Sequence, residues 1–326
     1  MPTLSRRAAV CAVLSLVTGA VAPAFAQDFP SRPVRIVVPF AAGGGVDILT
    51  RALAQPLGER LGQQVIVDDK PGAGGNLGVD AVAKAPADGY TLVMATTGTH
   101  TINPGLYPKL PFDAERDFKP VTLIASVPNL LVVNPALGVD SAAALVALAK
   151  SKPGALSFAS FGNGASNHLS GEMLKSLTGI DVAHVPYKSA PQAVTDLMAG
   201  QTAFAFVNTP LALPHVRSGK LKALAVTGAK RSAATPEFPT MQQAGVPGFV
   251  VESWYGLMAP AGTPDAVIAR LHKGTLAVLA TNEVREFFAK QGADVVTSSP
   301  AEFAAMVRTE RARWADVIRT SGAKVD

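Results

Sequence analysis

The sequence predicts an α/β protein in two lobes, one of them inserted into the other. Two observations carry this. Short apolar runs alternate with helical patterns along the chain, which is the signature of strands feeding helices. Two long apolar stretches, residues 121–133 and 249–258, bracket a block in which that alternation restarts. A block entered and left through extended segments is an inserted lobe on a two-strand hinge, with a cleft between the lobes. The expected division is 27–132 with 251–326 for the first lobe and 133–250 for the second.

Each element follows from local pattern. Residues 34–39 are a buried strand, Gly43-Gly44-Gly45 a turn, and 46–61 a helix in which Pro56 predicts a kink. A strand over 65–67, a glycine-rich turn and a short helix over 76–84 follow, then a strand over 91–95. Beyond the first long stretch, Asp140 can cap a helix over 141–150. A strand at 156–159 leads through a polar loop into a helix over 166–177, with Leu169, Met173, Leu174 and Leu177 on one side. Further strands are expected at 183–185, 202–207 and 222–226. The end is helical. Thr263-Pro264 and Asn282-Glu283 are helix starts, and Ser299-Pro300-Ala301-Glu302 reads as a capping box with proline at the first helical position. Phe303, Met306, Val307, Trp314, Val317 and Ile318 then form one apolar face.

Composition narrows the function. Of 326 residues, 48% are apolar and 16% charged, so the chain can build a sizeable core and is not a disordered one. The net charge is +5 without any Lys/Arg cluster, which argues against nucleic acid as a partner. Residues 1–26 read as a secretory signal: Arg6 and Arg7 lead, 8–21 is apolar, and Ala24-Phe25-Ala26 is a cleavage site that starts the mature chain at Gln27. A membrane anchor is the weaker alternative, because the apolar run is short for a span. Ser5-Arg6-Arg7 leaves the general and twin-arginine export routes both open. The single cysteine, Cys11, lies inside this signal. The mature chain therefore has no disulfide, thiolate metal site or thiol nucleophile.

Catalytic signatures are missing. Gly164-Ala165-Ser166-Asn167-His168 fails the serine nucleophile elbow at its last position. Gly72 to Gly78 misses the dinucleotide spacing by one residue, and no Walker loop is present. The five histidines (His100, His168, His184, His215 and His272) form no metal-binding pair, so no metal and no cofactor is expected. A secreted hydrolase using Ser160 or Ser166 with His168 is the enzymatic alternative, and the spacing of Ser166 and His168 is poor for a helical pair.

What recurs is a strand that ends in a small, polar, glycine-containing loop opening a helix. Residues 40–47, 96–103, 160–166, 185–189 and 208–210 all have this form. Ligands of open α/β sheets bind beyond the carboxyl ends of strands. Helix N-termini there offer free N–H groups and partial positive charge, enough to hold a carboxylate without a further cation. The loops hold almost no arginine, which favours a small carboxylate over phosphate. Each loop taken singly also reads as a tight turn. Asp47 also reads as a helix-start residue, His168 as an orienting side chain, and Phe40 and Tyr187 as core.

Several stretches together resemble the Bug family, the TctC-like periplasmic solute receptors of tripartite tricarboxylate transporters. They include Phe29 to Pro33, Val38 to Gly44, Pro71 to Asn76 and Asp88-Gly89-Tyr90-Thr91-Leu92. Ile102-Asn103-Pro104, Ser170-Gly171-Glu172, His184 to Lys188, Gly219-Lys220-Leu221 and Ala259 to Pro264 fit as well. The resemblance implies a type II periplasmic binding fold, a Venus flytrap with mixed sheets flanked by helices. It implies a monomer that closes on a small organic carboxylate and serves membrane permease subunits or a sensor protein; a periplasmic sensor or scaffold is the alternative. By position it implies first-lobe contacts from Phe40, Ala42, Gly43, Gly44, Asp47, Thr97, Thr99 and Asn103. The second lobe would add Ser160, Gly162, Gly164, Ser166, Tyr187, Lys188 and Asn208. Two positions depart from the family pattern. Val207 stands where Asp is common, which removes a partner for a ligand ammonium, and Ser189 stands where Gly is common.

Overall fold

A computed structural model describes residues 29–233, 235–321 and 323. The expected signal and the expected mature start lie outside these residues. The first sheet contains β1 (Val34–Val38), β2 (Val65–Asp69), β3 (Thr91–Thr96), β4 (Phe118–Ser126), β10 (Trp254–Pro260) and β11 (Asp294–Val295). The second contains β5 (Asn129–Val133), β6 (Leu156–Ser160), β7 (Val182–Pro186), β8 (Phe204–Asn208) and β9 (Lys222–Val226). Their orders are β11-β4-β10-β3-β1-β2 and β7-β6-β8-β5-β9. Both sheets are mixed. Parallel strands β2-β1-β3 and β7-β6-β8 form one side of each, and antiparallel strands complete them.

The helices are α1 (Gly45–Leu61), α2 (Asn76–Ala83), the short α3 (Asn103–Leu106), α4 (Ala142–Ser151), α5 (Ser166–Thr178), α6 (Ala190–Met198), α7 (Thr209–Arg217), α8 (Asp265–Leu279), α9 (Asn282–Lys290) and α10 (Pro300–Ser321). α1 shows why they form. Leu49, Leu53 and Leu57 recur at helical spacing and pack against Ile36 and Leu92 of the sheet, all fully buried. Each such side chain stabilises the fold by roughly 1.5–3 kcal/mol. Pro56 sits inside α1 and the helix runs on through it to Leu61.

Both long apolar stretches resolve into shorter elements, and one expected helix cap needs correction. The stretch 121–133, too long for one ordinary strand, holds parts of two: β4 ends at Ser126, β5 starts at Asn129, and the two belong to different sheets. Hydropathy is continuous there because both strands are buried, so the crossing at Val127-Pro128 leaves no mark in it. In the second stretch the strand begins only at Trp254; Phe249 and Val251 are loop residues packed into the second lobe's core. Asp140 does not cap α4. Ser141 does, its hydroxyl accepting from the Ala144 N–H at 3.1 Å, while Asp140 pairs with Lys222.

The capping box of α10 forms as expected, with Ser299 N–H on the Glu302 carboxylate at 2.8 Å and Glu302 N–H on the Ser299 hydroxyl at 3.2 Å. Its apolar face is shared. Phe303 and Val307 pack on the first sheet, whereas Trp314 joins a cluster with Leu169 and Phe249 of the second lobe. The last helix thus spans both lobes. No helix among the described residues is long and apolar enough to cross a membrane.

Candidate functional site

The parallel strands of both sheets end at one place, the cleft. β1 runs through Phe40 and the glycine turn into α1; β6, β7 and β8 lead into α5, α6 and α7. The N-caps of these four helices are Gly44, Ala165, Ser189 and Asn208, and none makes a side-chain cap bond. Each helix start carries partial positive charge, about half an elementary charge for a full helix. Between them lies a cavity of about 50 Å³. Phe40, Val46, Phe161 and Trp254 supply apolar wall; Thr96, Thr97, Ser166, Asn167, Asn208, Ser253 and Tyr255 supply polar side chains; among the described residues Lys188 is the only charged one that lines it. Such a space stabilises an anion with a short apolar body.

Six of the expected contacts line this cavity: Phe40, Gly44, Thr97, Ser166, Lys188 and Asn208. The others stand around it in supporting places. Ala42 and Gly43 are exposed on the loop before α1. Asp47 is buried and engaged, accepting from the Gly43 N–H at 2.8 Å and pairing with Arg51 Nε at 2.5 Å. Arg51 also reaches Asp69 at 2.6 Å. Burial first, then the neighbouring Asp47 charge, raise the Asp69 carboxyl above its ordinary value against the lowering effect of Arg51. Asp47 therefore braces the loop from behind. Thr99 closes its own turn, its hydroxyl accepting from the Thr96 N–H at 3.1 Å. Thr97 ties that turn to the hinge by accepting from the Trp254 N–H at 2.9 Å.

Asn103, Gly164 and Tyr107 form a contact between the lobes. Asn103 donates to Gly74 O at 3.0 Å and to Asn76 Oδ1 at 2.7 Å. A Cβ on Gly164, whose φ is +86°, would collide with Asn103 Oδ1. Beside it the Tyr107 hydroxyl donates to Asn163 O at 3.0 Å. The lobes are closed on each other here, and only glycine fits.

The second lobe holds two polar groups of different kind. Asn208 Nδ2 donates to Asn129 Oδ1 at 2.8 Å, and Asn129 Nδ2 to Ser166 Oγ at 3.2 Å. Ser160 is fully buried, 2.6 Å from His184 Nε2, and Gly162 donates back to it at 3.3 Å. His168 stacks on His184 at 4.2 Å between ring centroids and accepts the Gly164 N–H on Nδ1 at 3.2 Å. Burial, with the His184 and Lys175 charges adding, lowers His168 to about 3. Its ring is neutral, and the Gly164 bond assigns its proton to Nε2. No hydrogen bond joins Ser160 or Ser166 to His168 among the described residues, so the pairing the hydrolase alternative needs is not formed. Tyr187 is partly buried above Gly162, and its N–H donates to Ser160 O at 2.9 Å. Burial, with Asp196 beside it, raises the Tyr187 phenol. Among the described residues no three His, Cys, Asp or Glu side chains gather as metal ligands.

The sequence reading passed over Ser253, Trp254 and Tyr255, which line the cavity from the start of β10. Their only local signal is a serine and two aromatics with polar atoms inside an apolar run. Asn129 was missed for the same reason.

Residues 49–323 match the model of the tripartite tricarboxylate transporter family receptor, TctC. The chain belongs to this receptor family. It is 39% identical to Protein BugT of Bordetella pertussis over 323 residues, 99% of each chain. Among solved structures, Rpa4515 of R. palustris with adipate superposes with a TM-score of 0.89 at 38% identity, covering 91% of this chain and all of that one. MatC from Rhodopseudomonas palustris with bound malate gives 0.85 at 34% identity, covering 89% of this chain and all of that one. The fold is thus the two-lobed periplasmic binding fold, and TctC receptors are solute-binding proteins of the periplasm.

Proposed function

We propose that this TctC receptor captures a small dicarboxylate between its lobes in the periplasm, after cleavage behind Ala26, and delivers it to the membrane subunits of a tripartite tricarboxylate transporter. One observation carries the reading: four helix starts without side-chain caps converge on a small cavity whose only charged lining residue, among the described residues, is the cation Lys188. That arrangement favours carboxylate and offers no acid to an ammonium. Val207 is buried in the core of the second lobe and supplies none either, which disfavours amino acids. Adipate and malate, the ligands of the two solved relatives, are both dicarboxylates. Closure follows from differential affinity, because a ligand touching both lobes favours the closed arrangement. Isothermal titration of ligand-stripped protein with malate, adipate, citrate, benzoate and aspartate tests this. Binding of a dicarboxylate with weaker or no binding of aspartate is expected; a panel without any binding refutes the reading.

A further inference from the structure

Three consecutive residues at the hinge line the cavity and carry a buried polar atom without a partner: Ser253 Oγ, Trp254 Nε1 and Tyr255 Oη. Strand alternation sends the last two to opposite faces. The Trp254 ring packs edge-on against Phe303 at 5.3 Å, within the cluster around α10. Tyr255 turns the other way, into the cluster beneath α1. Its strand slips register against β4 between Tyr255 and Gly256, the kind of irregularity that re-aims a side chain.

The Tyr255 hydroxyl comes to rest at the start of α1. A Cβ on Gly45 would stand 3.3 Å from that oxygen and 3.1 Å from Asn208 Cβ. A phenol, a helix N-terminus whose N-cap Gly44 has no side chain, and the second lobe's Asn208 therefore meet at one point. Tyr255 is only 3% exposed. Burial raises its phenol above the ordinary value, so it keeps its proton and acts as a donor. A buried hydroxyl left unpaired costs about 1–3 kcal/mol, and native proteins seldom leave one without a role.

We propose that Tyr255 donates its hydroxyl hydrogen to one carboxylate oxygen of the ligand at the N-terminus of α1, and that this bond helps select a carboxylate for that end of the cavity. The proposal rests on the dicarboxylate-receptor reading. Tyr255→Phe removes the hydroxyl and leaves the ring that packs under α1. Titration of both proteins with malate and with adipate is paired with thermal melting of each without ligand. For any acid the wild type binds, the variant should bind about tenfold more weakly or worse, the usual effect of losing a hydrogen bond to a charged group. Its ligand-free Tm should stay level or rise, because an unpaired buried hydroxyl has gone. Unchanged affinity overturns the proposal, as does a loss of affinity that arrives with a lowered ligand-free Tm, which assigns Tyr255 to packing. If the wild type binds neither acid, the receptor reading falls first and the role of Tyr255 with it.

Discussion

The two lobes meet the same cavity with different chemistry. The first brings three glycines, Gly44, Gly45 and Gly98, to the space beside the hydroxyls of Thr96 and Thr97, and the carboxylate of Asp47 is already held by the Gly43 N–H and Arg51. The second presents side chains: the chain of bonds from Asn208 through Asn129 to Ser166, and the ammonium of Lys188. Main-chain donors at a helix start accept any carboxylate and survive substitution of the surrounding side chains. Amides, hydroxyls and a lysine are open to exchange, so discrimination between acids is expected to sit in the second lobe and in the hinge. Substitutions that touch one lobe at a time sharpen or break this division.

The largest effect is expected where the lobes touch. Gly164→Ala places a methyl group against Asn103 Oδ1 and within 3.1 Å of the Tyr107 ring, from a backbone with φ +86°. Closure is then blocked, and malate affinity should fall by about a hundredfold or more, a penalty of nearly 3 kcal/mol. Gly179→Ala is the control. It has a similar left-handed backbone, φ +68°, at the end of α5 in the same lobe, with no atom near its Cβ position. Both variants should lose about 1 kcal/mol of stability to the backbone, but only Gly164→Ala should lose binding in titration. Equal binding by the two would show that the contact at Gly164 is not part of closure.

Next comes the amide chain. Asn208→Leu removes the donor from Asn129 Oδ1, and Asn129 is fully buried. An acceptor stranded in this way costs about 1–3 kcal/mol. The ligand-free Tm should drop, and malate affinity should fall about tenfold as Ser166 loses its fixed neighbour. A variant with normal affinity would move discrimination out of the second lobe and back to the helix starts.

Much of this site was legible because its signals are local. A strand, a glycine loop and a helix in direct succession mark the loops 40–47, 96–103, 160–166, 185–189 and 208–210, and the family resemblance singles out Phe40, Gly44, Thr97, Ser166, Lys188 and Asn208 within them. What was hidden depends on pairing at long range. Tyr255 reaches α1 because β10 pairs antiparallel with β3, setting Tyr255 opposite Thr96, and nothing within the run 249–258 marks that register. Asn129 lies inside the apolar stretch 121–133, whose hydropathy does not mark where one sheet ends and the other begins. Asp47 and Arg51 stand at i and i+4, and their ion pair favours the helix-start reading of Asp47 over direct contact. The sharing of α10 between lobes was also invisible: its face from Phe303 to Ile318 is continuous by periodicity, and only the cleft's position divides it.

A smaller effect, common to both lobes, depends on pH. His168, in the second lobe, is lowered to about 3 by burial first and then by the His184 and Lys175 charges. His100, in the first, is lowered to about 3 by burial first and then by the Arg311 charge. Between pH 6.5 and 3 the unfolded chain takes up protons that the folded one refuses, so stability is lost as pH falls through that window. Over the unit from pH 6 to 5 each histidine should remove about 1 kcal/mol. Denaturant unfolding of His168→Gln at the two pH values should show a shallower loss than the wild type. An identical slope would mean that His168 is protonated in the folded protein, and its bond from Gly164 would need reassignment.

The smallest effect belongs to the cation at the cavity. Lys188 is exposed although it lines the cleft. Water and salt screen a charge so placed, and exposed pairs contribute at most about 1 kcal/mol. Lys188→Gln should weaken malate binding about threefold at low ionic strength and leave it nearly unchanged at 1 M salt. The main-chain donors and the amide chain are shielded from solvent and should respond little to salt, so the wild type and the variant should converge as salt rises. If the difference persists at high salt, Lys188 contacts the ligand inside the closed cavity, and discrimination between acids then rests on charge as well as on amides and hydroxyls.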